Sequence, residues 1–177
     1  MGFLPEGVET EGEVNRALLE AIVDELLESG IAVVPSARIR EAENEELVDA
    51  LRSTIAAVDA SPHPQGEWEP AREVLNDELL ARVVGGISPS SLRRYASGER
   101  QTPDLVAWRL HVVARLLAGL LGSYNDYGIR RWFLRSRTTL NGERPAEILE
   151  RAMDEDDPRV QRLLSLAGSL AGAGSAT

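Results

Sequence analysis

The chain contains neither cysteine nor lysine, and aromatic residues make up only 5% of it. Without Cys there is no disulfide scaffold, no thiolate metal site and no Cys nucleophile. Without Lys there is no GxxxxGK[ST] phosphate loop, and all 19 basic residues are Arg. The shortage of aromatics leaves Leu, Ala and Val to build the core, a mixture that favours helices. The two histidines give catalysis little to hold: His63 lies in a Pro-rich stretch and His111 within an apolar run, with no HExxH-type spacing. No enzyme activity, cofactor or metal is expected. The longest apolar stretch, from Val112 to Gly122, contains Arg115 and falls well short of the ~20 residues that span a bilayer. Met1 to Val8 lacks the basic and apolar regions of a secretory signal, so the expected location is the cytoplasm, with no membrane contact.

What the chain has in excess is acid. Its 177 residues carry 29 Asp and Glu against 19 Arg, a formal net charge of −10 that on its face argues against nucleic acid. The distribution reverses that argument locally: residues 1 to 80 carry −14, residues 81 to 145 carry +7, and residues 146 to 177 carry −3. Any polyanion contact therefore belongs to the middle of the chain. The run Asp154 to Asp157 lacks the alternation and central Gly of a calcium loop, and Asp157-Pro158 reads instead as the N-cap and first residue of a helix.

Apolar periodicity predicts an all-α fold. Val14, Leu18, Leu19, Ile22, Leu26 and Leu27 trace one stripe of a helix over residues 11 to 29, stopped by Gly30. Ile31 to Val34 reads as an extended linker, and a second helix over 44 to 58 turns Leu47, Leu51, Ile55 and Val58 inward. Ser61 to Pro70 holds three prolines and a glycine and is expected to break regular structure, which makes it the domain boundary. Beyond it, Asn76 caps a short helix over 77 to 84, Gly85-Gly86 end it, and Ser88-Pro89 open another that Gly98 stops. A long helix follows from Pro103 to Leu121, and two more begin at Pro145 and Pro158. The expected organisation is an acidic helical region over 1 to 70, a DNA-binding domain over 71 to 122, a partner-binding helical domain over 123 to 170, and a flexible tail over 171 to 177.

Two short helices around a Gly-containing turn are a helix-turn-helix layout. Leu79, Leu80 and Val83 face inward on the first helix, Ile87 plugs the turn, and Leu92 and Tyr95 anchor the second. This leaves Ser88, Ser90, Ser91, Arg93, Arg94 and Ser97 outward, with Arg100 just beyond, as candidate DNA contacts. Small residues at the N-terminus let such a helix sit deep in the major groove, and Arg makes bidentate bonds to guanine or holds phosphate. The plainer alternative is a solvated helix start. Further on, Arg130, Arg131, Arg135 and Arg137 flank Trp132 and Phe133 beside a turn. Trp and Arg are the side chains most enriched at interface hot spots, while Trp132 and Phe133 fit a core equally well.

Residues Leu79 to Pro103, with Gly86-Ile87-Ser88 in the turn and Ser97-Gly98-Glu99-Arg100 closing the second helix, resemble the Xre (lambda-repressor-like) helix-turn-helix. The segment GIRRWFLRSRTTLNGERPAEIL is similar to the toxin-binding domain of the Xre/MbcA/ParS antitoxins, matching at Trp132, Leu134, Leu140, Gly142, Arg144, Pro145 and Leu149. Phe133 departs from the Leu that usually follows Trp, and Asn141 replaces the first of two glycines. The two segments cover roughly residues 77 to 170. The resemblance implies an antitoxin that binds and inhibits a RES-domain, NAD-degrading toxin and, as a homodimer, represses its own operon by binding operator DNA. It implies partner-facing roles for Arg130, Arg131, Trp132, Arg135, Arg137, Asn141, Gly142 and Arg144. Two alternatives stay open: a transcriptional regulator with no toxin, and a protein-binding adaptor whose helix-turn-helix no longer touches DNA. The acidic region matches no pattern, and its charge reads either as the solvated face of amphipathic helices or as a segment that competes with DNA.

Overall fold

A computed structural model describes residues 16–28, 36–121, 123–152 and 157–173. Among them are nine α-helices, one 3-10 turn and no strand, which is the all-α class that the periodicity predicts. The chain divides into two compact units, Met1–Pro62 and His63–Thr177.

The first unit holds α1 (Arg16–Glu28), α2 (Ser36–Glu41) and α3 (Asn44–Asp59). Val23 and Leu26 of α1 and Ile39 of α2 are buried. The last carbonyls of a helix lack partners within it. Here Arg16 Nη1 supplies them, donating to the carbonyls of Ile39, Arg40 and Ala42 at 2.6, 3.0 and 2.8 Å. The face expected for α3 is shifted: Ile55 is 61% exposed, and Thr54 is buried beside it. Thr54 can replace an apolar residue because its hydroxyl donates to the Ala50 carbonyl at 2.9 Å, one turn back. The short helix α2 escaped the sequence reading, being too brief to show periodicity. The expected extended linker at 31 to 34 and residues 11 to 15 of the first helix lie outside the described residues.

In the second unit, α4 (Pro64–Val83) begins inside the stretch expected to break structure. Pro64 occupies the first helical position, where no N–H is needed, and Pro70 forfeits only one bond, to the carbonyl of Gly66. Tertiary packing offsets that loss: Trp68 is 1% exposed and its Nε1 donates to Thr102 Oγ1 at 3.1 Å. Burying one large apolar side chain contributes roughly 1.5–3 kcal/mol, comparable with the cost of an internal Pro. The boundary accordingly falls at 62/63 rather than at 70/71, and segments 71 to 122 and 123 to 170 share one core.

Helix α4 breaks at Asn76, whose φ of 64° and ψ of 162° are not helical. Asn76 Oδ1 accepts the Leu79 N–H at 3.1 Å, so the break is also the N-cap of the arm over 77 to 83, as expected. Arg72 braces it by bonding Asp77 beyond the break at 2.8 Å and Glu69 before it at 3.1 Å. After a turn come α5 (Pro89–Ala96) and α6 (Asp104–Leu121), the central helix, buried continuously from Ala107 to Val113. The remainder is α7 (Asp126–Leu134), a 3-10 turn at Thr138–Leu140, α8 (Pro145–Arg151) and α9 (Pro158–Ala173). Asp157 caps α9 as expected, accepting the Arg159 N–H at 2.9 Å. Helix α9 lies against α6 where Gly119 meets Ala167: a Cβ on Gly119 would stand 3.0 Å from the Ala167 carbonyl carbon. The helix continues through Ala173, into the tail over 171 to 177 that the sequence predicts to be flexible. Residues 174 to 177 lie outside the described residues.

Candidate nucleic-acid interface and a basic cleft

Two short helices, the 77 to 83 arm of α4 and α5, are joined by a turn that Gly85 and Gly86 make possible, with φ of 115° and 70°. Their N–H groups both reach the Arg82 carbonyl, at 3.2 and 3.0 Å, and Ile87 N–H returns to Ala81 at 3.0 Å, which closes the first helix. Ser88 then caps α5 by accepting the Ser91 N–H at 3.1 Å, and Pro89 stands at its first position. On α5, Leu92 and Tyr95 are buried, with Tyr95 stacked on Trp68 at 6.3 Å between ring centroids.

The seven residues proposed for DNA contact lie together along and just beyond the outward face of α5, but their engagements differ. The hydroxyls of Ser88, Ser90 and Ser91 form a cluster with 2.9 Å spacings. Ser97 is the C-cap residue, and its hydroxyl donates to the Arg94 carbonyl at 3.3 Å. Arg100 lies 5.5 Å from the Tyr95 ring centroid. Arg94 is held by Glu99 at 3.1 Å, a competing anion that the sequence reading overlooked. Arg93 is exposed and has no carboxylate partner among the described residues.

The residues proposed to face a partner occupy α7, the following loop and the start of α8, and several of them have structural work. Trp132 and Phe133 are 2% and 0% exposed and pack edge to face, so the core alternative describes both. Arg130 donates to the Val74 carbonyl at 2.5 Å, a group that the break at Asn76 deprives of its helical partner. Asn141 adopts the left-handed conformation (φ 55°) and Gly142 follows at φ 83°, a turn that Asn and Gly accommodate readily. Backbone bonds between Arg137 and both Gly142 and Glu143 close this loop. Arg144 precedes Pro145, its backbone N–H donating to Glu147 at 3.4 Å.

The others line a cleft of about 740 Å³ walled by Tyr124, Tyr127, Trp132, Arg131, Arg135 and Arg137. Arg131 stacks 5.5 Å from the Tyr127 ring centroid and also donates to its hydroxyl at 3.0 Å. Arg137 lies 4.7 Å over the Trp132 ring. Burial, together with the charge of Arg135, pushes the Arg137 guanidinium below its ordinary pKa, although it remains a cation. Arg137 Nε and Trp132 Nε1 are both buried and without a hydrogen-bond acceptor. The sequence reading missed Tyr124 and Tyr127 as part of this surface; the i, i+4 spacing of Tyr127 and Arg131 was the available signal.

A buried polar network lies elsewhere in this unit. Glu67 Oε1 meets His111 Nδ1 at 2.5 Å, with both side chains under 10% exposed, so His111 ties α6 to α4. Arg109, 7% exposed, donates through Nε and Nη2 to the Ala152 carbonyl that ends α8, and its guanidinium also presses against Gly85. No group of three or more potential metal ligands occurs among the described residues. No described helix is long and apolar enough to cross a membrane. Comparison of the chain with protein-family models, with curated proteins and with solved structures returns no match.

Proposed function

We propose that this protein is a DNA-binding antitoxin, in which α5 lies in the major groove of operator DNA and the face formed by α7, its following loop and α8 engages a toxin of the RES-domain, NAD-degrading class. The observation that carries the DNA reading is the pair of short helices around Gly85-Gly86. Leu92 and Tyr95 fix α5 from within, while its outward side carries Ser90, Arg93, Arg94 and Ser97. A capped helix N-terminus with small residues suits phosphate and base-edge contacts, and Arg suits guanine. The toxin reading rests on the resemblance described above and on the turn at Asn141-Gly142 followed by Pro145, whose conformations suit that motif.

The DNA reading is tested with a fluorescent duplex covering the promoter of the gene, measured by anisotropy against a scrambled duplex. The double variant Arg93→Ala/Arg94→Ala is expected to lose promoter binding while retaining its helical circular dichroism. The slope of log K against log salt is about −0.9 per neutralised phosphate, hence roughly −3.6 for four contacts. A slope near zero favours the adaptor alternative, for which the Arg94–Glu99 bridge is the supporting observation. Co-expression with the neighbouring gene product, scored by growth rescue and co-purification, tests the toxin.

A further inference from the structure

The cleft beside α7 concentrates positive charge without its complement. Arg131, Arg135 and Arg137 have no carboxylate partner among the described residues, and Arg144 shares only a 3.5 Å contact with Glu147. Several arginines elsewhere in this unit are paired, Arg72 with Asp77, Arg82 with Glu150, Arg151 with Glu143 and Arg159 with Asp157, while those without a carboxylate, such as Arg93 and Arg100, do not converge on a cleft. What sets this cleft apart is the convergence of Arg131, Arg135, Arg137 and Arg144 on a lining that, among the described residues, holds no carboxylate.

An oxyanion suits such a lining. Guanidinium forks match phosphate oxygens in geometry, and the charge of several arginines suits a phosphate dianion better than a carboxylate, which one fork satisfies. At about 740 Å³ the cleft falls within the ~300–1,000 Å³ range of small-ligand sites and has room for more than the anion alone. Two further lining residues are aromatic: Tyr124 and Tyr127 are 37% and 61% exposed, side chains on which an aromatic ring can stack. Gly128 lets Tyr124 pack closely over the helix, since a Cβ there would stand 3.1 Å from Tyr124 Cδ1. We infer that this cleft is a binding site for a nucleoside monophosphate, its phosphate gripped by Arg135 and Arg137 and its base on the tyrosines. The cleft belongs to the face that the toxin reading uses, but nucleotide binding is read with no protein partner present, so its failure and the failure of that reading are distinguishable.

The test is calorimetric titration of the full chain with adenosine monophosphate, inorganic phosphate, adenosine, a tetraglutamate peptide and a short single-stranded oligonucleotide, with neither duplex nor partner present. The nucleotide is expected to bind with a Kd below about 1 mM and at least tenfold more tightly than phosphate or adenosine. Arg135→Gln and Arg137→Met are each expected to weaken it tenfold or more. Arg137→Met removes a half-buried charge that no carboxylate balances and keeps an unbranched side chain for the contact over Trp132, so its melting temperature should not fall below that of the parent chain while binding is lost. A merely structural Arg137 would give the opposite sign. Nucleotide binding absent, or no tighter than that of inorganic phosphate, overturns the proposal, as does preference for the peptide or the oligonucleotide.

Discussion

Gly85→Ala probes the joint on which the α4–α5 turn depends. At φ 115° a side chain is strained wherever it points, at a cost of about 1–3 kcal/mol. The added Cβ also overlaps Arg109 Nη1 outright and lies 3.1 Å from its Cζ. Arg109 is 7% exposed and gives two N–H groups to the Ala152 carbonyl, so it cannot swing away without leaving a buried cation and a helix end short of partners. Losing a buried, charge-assisted bond adds about 1.5–3 kcal/mol. The expected total is about 3–5 kcal/mol, a large share of the 5–15 kcal/mol that holds a typical domain folded. Urea unfolding of the full chain, followed by tryptophan fluorescence, reads this unit alone, because Trp68, Trp108 and Trp132 all lie beyond residue 62. With an m-value near 2 kcal/mol/M the midpoint falls by about 2 M. Gly86→Ala is the control: φ is 70°, no atom lies within 4 Å of where a Cβ would stand, and the cost should be about 1 kcal/mol. Introducing Gly85→Ala into an Arg109→Met background should leave only the backbone part of the penalty. Equal losses for Gly85→Ala and Gly86→Ala would refute the role assigned to Arg109.

His111→Leu leaves Glu67 buried without its ring partner and is expected to cost about 3–5 kcal/mol, most of it recovered in the double variant with Glu67→Leu; additivity in urea unfolding would show that the two do not interact. At Asn76, Ala removes the cap and keeps the strain, for a loss of about 1 kcal/mol, whereas Gly relieves the backbone at a cap cost of a few tenths, so Asn76→Gly should melt above Asn76→Ala and at or above the parent. The Arg159 guanidinium holds Asp157 below the usual carboxylate pKa. A depressed folded pKa means the pair stabilises above the unfolded value, near 3.9, and the contribution is lost as pH falls through the folded one. Asp157→Asn should therefore lower the melting temperature at neutrality and converge on the parent as pH falls, which flattens the acid limb; an unchanged acid limb would contradict it.

How far residues alone carried the fold depends on the range of the forces involved. Ser88, Asn76 and Asp157 were legible as caps because a cap is a local bond to an N–H two or three residues away. Leu92 and Tyr95 were legible as anchors because 3.6-residue periodicity is also local. Pro64 and Pro70 misled for the converse reason: their local penalty is real, and Trp68 with Thr102, 34 residues on, outweighs it. The cleft was half legible. Its arginines announced themselves by density, but that Glu147 reaches Arg144, while no carboxylate among the described residues pairs with Arg131, Arg135 or Arg137, is decided by the packing of other turns. Glu67 and His111 stand 44 residues apart and gave no signal beyond a histidine among apolar neighbours.

The division at residue 62 has a colloidal consequence. Residues 1 to 62 hold 14 Asp and Glu against four Arg, while residues 63 to 177 hold 15 of each, so the whole net charge of −10 resides in the first unit. The second unit is isoelectric near neutrality, the condition under which proteins associate and precipitate most readily. The acidic unit thus serves the whole chain as a solubilising counterweight, lending mutual repulsion to a body whose own charges cancel.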